Sequence, residues 1–459
     1  MPELGRVCEP IGSPQLIGSH QPIGSHQLKG HTELWEPTYC TYDRRRYLAK
    51  IEHLDRLLAG SVPDRDREQT LANVTDMFDV YEGRRDVERA FFAYFVATRI
   101  ERSRSDYGSE IFPFLPLLEY VDPEVRQLAM VGLPPFIADR YRPGPDGRSG
   151  AIVFTPVFAD MFIDVPGITR AVRLARKAVD DAASFASARL DAPIGGLAAN
   201  LPSLTRLGRT IEASFPITSG HAGTVYLITQ LIDTAVRDGL IANPQDQVSV
   251  VGAGAIGTAA ADLLLDSGIV RRVVMTDVNG GALLRAQRFL RDRHGSGCVR
   301  PVDSVHDALS ASAVVLSAVT SPLDLDVIDP DHALDLEGSL LIDDSVPGSL
   351  DPDQVEGRRG MLCWVIGADE TRSHAITRRN INYGEHGLVR RSDLWGCEAE
   401  LGALALSGRT DLVVNEPVTP EVARSVGKLF DEVGVVVAPF QRFGRLLSDL
   451  LLEDWPESG

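Results

Sequence analysis

Between Thr41 and about Ile100 the apolar positions recur at helical spacing. Tyr47, Ile51, Leu54 and Leu58 form a single stripe, and the aromatic-rich run VERAFFAYFVATRI (87–100) extends the same helical pattern. The stretch IFPFLPLLEYVDPEV is broken by prolines and ends as a short helix. RYRPGPDGRSGAIVFTP has the pattern of a strand, a Pro/Gly turn and a second strand. A long helix is predicted from about Gly167 to Leu190, followed by the pair Gly195 and Gly196.

From residue 224 onward the periodicity alternates. TVYLITQLIDTAVRDG reads as a helix, QVSVV as a strand, TAAADLLLDSG as a helix, RRVVMTD as a strand and GALLRAQRFLRD as a helix. Apolar runs at AVVLSAV, GSLLIDD and MLCWVIG add further strands. Strands alternating with helices predict a parallel sheet. The expected fold class is therefore α/β: a Rossmann-type doubly wound parallel sheet domain, an N-terminal α/β domain and a C-terminal helical segment. The expected division is a disordered repeat-bearing tail over 1–35, an N-terminal α/β substrate domain over 36–215, a Rossmann dinucleotide-binding domain over 216–370 and a C-terminal helical segment over 371–459. The tail is assigned by composition: three hexads, IGSPQL IGSHQP IGSHQL, carry too few apolar residues to pack a core.

Composition narrows the function classes. The chain has 459 residues, 44% of them hydrophobic, and a net charge of −18. Such an acidic chain is a poor general ligand for nucleic acid, whose phosphates demand a basic surface. Five cysteines without CxxC spacing argue against a disulfide framework and against a structural zinc site. No apolar run is long enough to span a bilayer, and no signal peptide opens the chain, so a cytoplasmic location and no integral membrane segment are expected.

The segment Gly252-Ala253-Gly254-Ala255-Ile256-Gly257 follows an apolar strand and opens a helix. In that context the first glycine serves the tight turn, the second admits a pyrophosphate against the backbone, and the third lets helix and strand pack closely. Asp277 ends the next strand. A carboxylate there accepts hydrogen bonds from the ribose hydroxyls of NAD and repels the 2′-phosphate of NADP, so NADH is expected over NADPH. Thr218 and Ala318, in loops beside the expected strand ends, are assigned to the same cofactor site.

Four segments are candidates for chemistry beside a nicotinamide: TSGHAGT (218–224), SAVTSP (317–322), IDDSVP (342–347) and the stretch from His374 to Cys397. Cys397 admits two readings. Leu394, Cys397, Leu401 and Leu404 share one apolar helical face, which suits a packed cysteine. Gly396, an expected helix start capped by Ser392, and the nearby Arg390 and Arg391 suit a nucleophile with a lowered pKa. Residue physics leaves both open.

In order along the chain, the segments GLPPFIADRYRPGPDGRSGAIVFTP, Gly195–Gly196, TSGHAGTVY, the glycine turn, LIDDSVPGSL, TRSHAIT and CEAE resemble the long-chain acyl-acyl carrier protein reductase family, which forms aldehydes. The resemblance spans about Gly132 to Phe440. It implies that Cys397, the cysteine of a Cys-x-Ala-Glu motif, takes the acyl group, with Glu400 as the motif's acid. Cys397 would attack a thioester, and hydride transfer to the acyl-enzyme would release an aldehyde. His374 or backbone N–H groups near Ser219 would serve the oxyanion. Arg372, Arg378, Arg379, Arg390 and Arg391 would steer an acyl carrier protein or acyl-CoA substrate to the site. The chain departs from the family, which usually uses NADPH and carries a basic residue where Asp277 and Val278 stand. It also reads SGHAG where the family has TGNTH. Two other functions stay open: an NAD-dependent dehydrogenase of a free hydroxy, amino or oxo acid, and a non-catalytic NAD-binding module.

Overall fold

The computed structural model describes residues 42–98, 113–158, 170–241, 247–345, 348–370, 375–379, 388–442 and 444–448. The expected tail over 1–35, His374 and Arg372 lie outside them.

Two sheets organise the α/β fold. The larger is a six-stranded sheet, parallel throughout, ordered Met361–Trp364, Leu340–Asp343, Val314–Ser317, Gln247–Val251, Arg272–Thr276, Val299–Pro301. Counted in chain order this is the doubly wound arrangement, with its switch point between Gln247–Val251 and Val314–Ser317. Val248, Val250, Val251, Val273, Val274 and Met275 are all buried. This is what a sheet covered on both faces requires of its central strands. Helices Ala255–Asp266 and Gly280–His294 follow the first two strands as the periodicity predicts.

The other sheet, the first in chain order, has five strands, ordered Phe136–Pro143, Ser149–Phe158, Ala90–Thr98, Gly195–Leu197, Ile217–Thr218. The first pair is antiparallel, as the Pro/Gly turn predicts, and the other pairings are parallel. Its middle strand corrects the sequence reading. Ala90–Thr98 lies inside the run expected to be helical, yet it is a strand hydrogen-bonded on both sides. Phe92, Ala93, Tyr94 and Phe95 are buried in succession, so both faces are covered and no two-residue alternation marks the strand. The expected stripe of Tyr47, Ile51, Leu54 and Leu58 is buried as predicted, the first three on helix Arg44–Leu57 and Leu58 as its cap.

The helix Gly396–Ser407 does not stand apart as a C-terminal segment. It packs against helix His221–Arg237 and against strands Ala90–Thr98 and Gly195–Leu197 of the first sheet. A Cβ on Gly196 would stand 2.8 Å from Leu401 Cδ2, and one on Gly402 would meet Ile376 at 2.2 Å, so glycines set how closely this helix seats. A small antiparallel sheet, Asp393–Trp395, Ile366–Asp369, Val435–Val437, delivers the chain into the helix. Among the described residues no helix is long and apolar enough to cross a membrane.

Candidate active site

The glycine turn has the geometry its spacing predicts. Gly252 has φ +104°, and a Cβ there would lie 2.4 Å from the Ala318 carbonyl oxygen. A Cβ on Gly257 would lie 2.0 Å from the Gly252 oxygen, so the helix rests directly on the turn. Gly254 differs: nothing lies within 4 Å of where its Cβ would be. That open cradle at the N-terminus of helix Ala255–Asp266 fits a pyrophosphate. Asp277 closes the loop from behind, its carboxylate accepting the Ala253 N–H at 2.6 Å and the Asn279 N–H at 2.6 Å. The cap of the following helix is Asn279, which accepts the Ala282 N–H, so Asp277 is not its N-cap.

A crevice opens between the carboxyl ends of the two large sheets. Its walls include Gly254, Ala255 and Ile256 from the glycine turn, Ala318 after Val314–Ser317, Asp344 after Leu340–Asp343, and Gly396 and Cys397 at the helix start. Ser219, His221 and Thr224 close it from the first sheet's side. The structure thus brings Cys397 into one space with four residues expected to hold cofactor.

Close backbone approach places the cysteine there. The helix is capped by Trp395 rather than Ser392, so Cys397 is its second residue. Gly220 has φ +76°, and a Cβ on it would stand 2.2 Å from Cys397 Cβ. Gly396 meets Thr224 in the same way, with its would-be Cβ 2.6 Å from Thr224 Cα. The starts of two helices are therefore pressed together, and only glycine permits it.

The sulfur sits 3.0 Å from the Tyr94 hydroxyl. Burial pushes the Cys397 thiol up to about 12, against the lowering effect of the Tyr94 hydrogen bond; the Glu398 and Asp344 carboxylates push it further up. The expected lowering by Arg390 and Arg391 is not found among these principal influences. Arg390 is turned to Asp393, its Nε 3.0 Å from Oδ1, and Arg391 donates to the Arg379 carbonyl at 3.0 Å. Burial and the Asp343 carboxylate also raise the Asp344 pKa well above the carboxylate range.

Several expected site residues do other work. Glu400 is fully buried, and its carboxylate is engaged by partners other than the sulfur. It accepts the Gly223 N–H at 2.7 Å and the Thr218 hydroxyl, tying the helix Gly396–Ser407 to the start of His221–Arg237. Burial lifts its carboxyl to about 7, although hydrogen bonds from Thr218 and the 220–223 backbone oppose the rise. Thr218 is likewise buried and lies outside the crevice wall, which corrects its assignment to cofactor. The Ser219 N–H donates to the Val414 carbonyl at 2.7 Å and is not free for an oxyanion. Arg378 is buried, not a docking arginine. Its Nε donates to Glu398 Oε1 at 2.6 Å and its Nη2 pairs with Oε2. The Tyr141 hydroxyl joins the same carboxylate at 2.5 Å, and Glu398 in turn accepts the Trp395 N–H at 3.2 Å, fixing the helix start. Arg379 is half-buried against Ser149.

Two groups beside this cysteine's end of the site escaped the sequence reading, Tyr94 at the sulfur and His221 on the crevice wall. Tyr94 sat within an aromatic run read as helical core. His221 lies in TSGHAGT, quoted as a candidate loop, but the helix was expected to begin only at Thr224. It begins at His221, behind the left-handed Gly220, and burial pushes that imidazole down to about 4.

No protein-family model matches this chain, and no curated protein matches it either. Among solved structures it is similar to an imine reductase from Bacillus cereus, at 21% identity over 27% of this chain and 44% of that one, TM-score 0.20. It is similar to glutamyl-tRNA reductase from Methanopyrus kandleri at 19% identity over 57% and 55% of the two chains, TM-score 0.24. It is also similar to quinate dehydrogenase from Corynebacterium glutamicum in complex with NAD, at 14% identity over 74% and 99%, TM-score 0.31. The chain spans less than half of the imine reductase's length.

Proposed function

We propose that this chain is an NAD(P)H-dependent oxidoreductase, and specifically a reductase that converts an acyl thioester to an aldehyde through an acyl-enzyme on Cys397. The observation that carries the reading is the position of Cys397, which lines the same crevice as Gly254, Ala255 and Ile256 and has a hydroxyl 3.0 Å from its sulfur. When bound, the nicotinamide supplies the hydride. The chain's own groups do the rest. The open face of Gly254 receives the pyrophosphate, and Asp277 addresses the ribose, favouring NADH. The Tyr94 hydroxyl stabilises the Cys397 thiolate, which the apolar surroundings otherwise disfavour. An acyl carrier protein or acyl-CoA brings the acyl group, and the exposed Arg391 would meet an acidic carrier.

The test is intact-protein mass spectrometry after incubation with an acyl thioester in the absence of cofactor. Gain of one acyl mass by the native chain and none by Cys397→Ser supports the reading. The burial that raises the thiol favours a second reading, a dehydrogenase of a free oxo or hydroxy acid with Cys397 as packing. Free-acid turnover that survives Cys397→Ser identifies that case.

A further inference from the structure

Every thioester exchange passes through a tetrahedral centre whose oxygen carries negative charge, and that oxygen needs a donor held ready in a low-dielectric site. Backbone donors near Ser219 that the sequence suggested are engaged elsewhere, and His374, the other suggestion, lies outside the described residues. The Ser219 N–H is bonded to Val414, and the Gly223 N–H is bonded to Glu400. The imidazole of His221 stands on that wall. His221 is 7% exposed and lines the crevice with Cys397. Its backbone N–H donates to Ser219 Oγ at 3.4 Å, and among the described residues its imidazole has no protein partner. Its ring nitrogens are not among the sealed, unsatisfied atoms of the interior, so they are open to the crevice and free to meet a ligand there. It directly follows Gly220, the residue whose missing Cβ lets Cys397 stand against this turn.

We propose that His221 is a catalytic residue of the acyl-transfer step, donating an imidazole N–H hydrogen bond to the carbonyl oxygen of the incoming thioester; this rests on the acyl-enzyme reading of Cys397. The step balances without cofactor. The Cys397 thiolate forms a bond to the acyl carbon, and the carbonyl electron pair moves onto oxygen beside His221. Its return breaks the bond to the donor sulfur, which leaves as a thiolate and takes up the proton the cysteine had lost. His221 keeps its own proton throughout. Burial holds the imidazole neutral above about pH 4, so it is a donor of fixed charge state, suited to stabilising an oxyanion without protonating it. Collapse of that centre requires a bare alkoxide, so a donor that does not surrender its proton is what the chemistry needs.

The experiment uses the full chain, an octanoyl thioester of N-acetylcysteamine and no cofactor. The rate of acyl-mass gain is read by rapid quench, and the rate of iodoacetamide alkylation is read in parallel. Alkylation uses the same sulfur but builds no oxyanion. His221→Ala is expected to slow acylation by about 100-fold or more while alkylation stays within about twofold. His221→Gln, which restores an N–H, recovers part of the rate, and His221→Phe, which restores bulk alone, recovers none. The Gln and Phe pair also carries the comparison if the alanine chain does not fold. Equal acylation by the native chain and the Phe variant, or an equal loss of acylation and alkylation, overturns the role of His221 and leaves the acyl-enzyme standing. A native chain that alkylates but never acylates overturns the acyl-enzyme reading, and this proposal with it.

Discussion

The Tyr94 hydroxyl and the Cys397 sulfur lie 3.0 Å apart, one from the middle strand of the first sheet and the other from the second residue of a helix. Tyr94 is itself buried and its ionisation is pushed far up by burial, so it stays a donor wherever the thiol titrates. The hydrogen bond it offers favours the thiolate, and deleting it moves the thiol pKa further up. Tyr94→Phe is therefore expected to lower the iodoacetamide alkylation rate about tenfold at pH 8 and to shift the rate–pH profile to higher pH. An unshifted profile would show that the hydroxyl only packs against the sulfur.

Cys363 provides the contrast. It is buried in strand Met361–Trp364, where burial raises its thiol far out of the reactive range. Cys363→Ala should cost about 1–2 kcal/mol in urea unfolding and leave acylation of Cys397 intact. Cys397→Ser should keep fold and NADH binding yet abolish acyl-mass gain and aldehyde release.

Glu400 predicts a pH dependence of stability. Its folded pKa of about 7 lies above the ordinary 4.5, so the native state holds a proton that the unfolded chain has released. Stability consequently falls as pH rises from about 4.5 to about 7 and is level above that. The loss is on the order of 3 kcal/mol. Glu400→Gln should flatten this interval in a series of chemical denaturations, and an unchanged slope would place the titration elsewhere.

Arg378 and Arg391 should separate cleanly. Arg378→Met leaves Glu398 buried without its charge partner and should cost about 3–5 kcal/mol, with a matching fall in Tm. Arg391→Ala should leave Tm within about 1 °C and weaken turnover of carrier-linked substrate more than that of a small free thioester. Equal losses for both substrates would remove Arg391 from carrier docking.

Cofactor choice is tested at Asp277 and Val278. Val278 is fully exposed, so an arginine there meets no steric barrier. NADH should bind more tightly than NADPH to the native chain, and Asp277→Ser with Val278→Arg should reverse that order in calorimetric titrations. Because Asp277 also braces the Ala253 and Asn279 N–H groups, the double variant should lose some affinity for both.

The nucleotide half of the molecule was legible because its signals are local. A strand, three glycines and a helix within one short stretch carry their own geometry, and Gly252, Gly254 and Gly257 behave as their spacing predicts. The half around Cys397 was not. Ala90–Thr98 is covered on both faces and has no alternation to betray it, so Tyr94 was hidden in an apolar run. Arg378 reads as one more surface cation until the fold buries it on Glu398. Glu400 reads as an acid for the thiol, but its carboxylate is held by Thr218 and Gly223. Each of these outcomes depends on which distant segment arrives opposite, and periodicity along the chain is silent on that.

The helix that carries Cys397 also seats on the first sheet, against Gly196, and its sulfur finds a partner 303 residues earlier in the chain. At ribosomal rates of roughly 5–20 residues per second, the strand bearing Tyr94 waits about 15–60 s for that helix to be made. In the later part of that interval the nascent chain already holds the glycine turn and its flanking strands but still lacks Cys397, on which the proposed acyl transfer depends. The sheet surface reserved for the helix is bare and apolar over the same period, a template for misassociation that a chaperone would have to shield. On the proposed mechanism, reactivity and protection from aggregation are thus acquired in a single late event of biosynthesis.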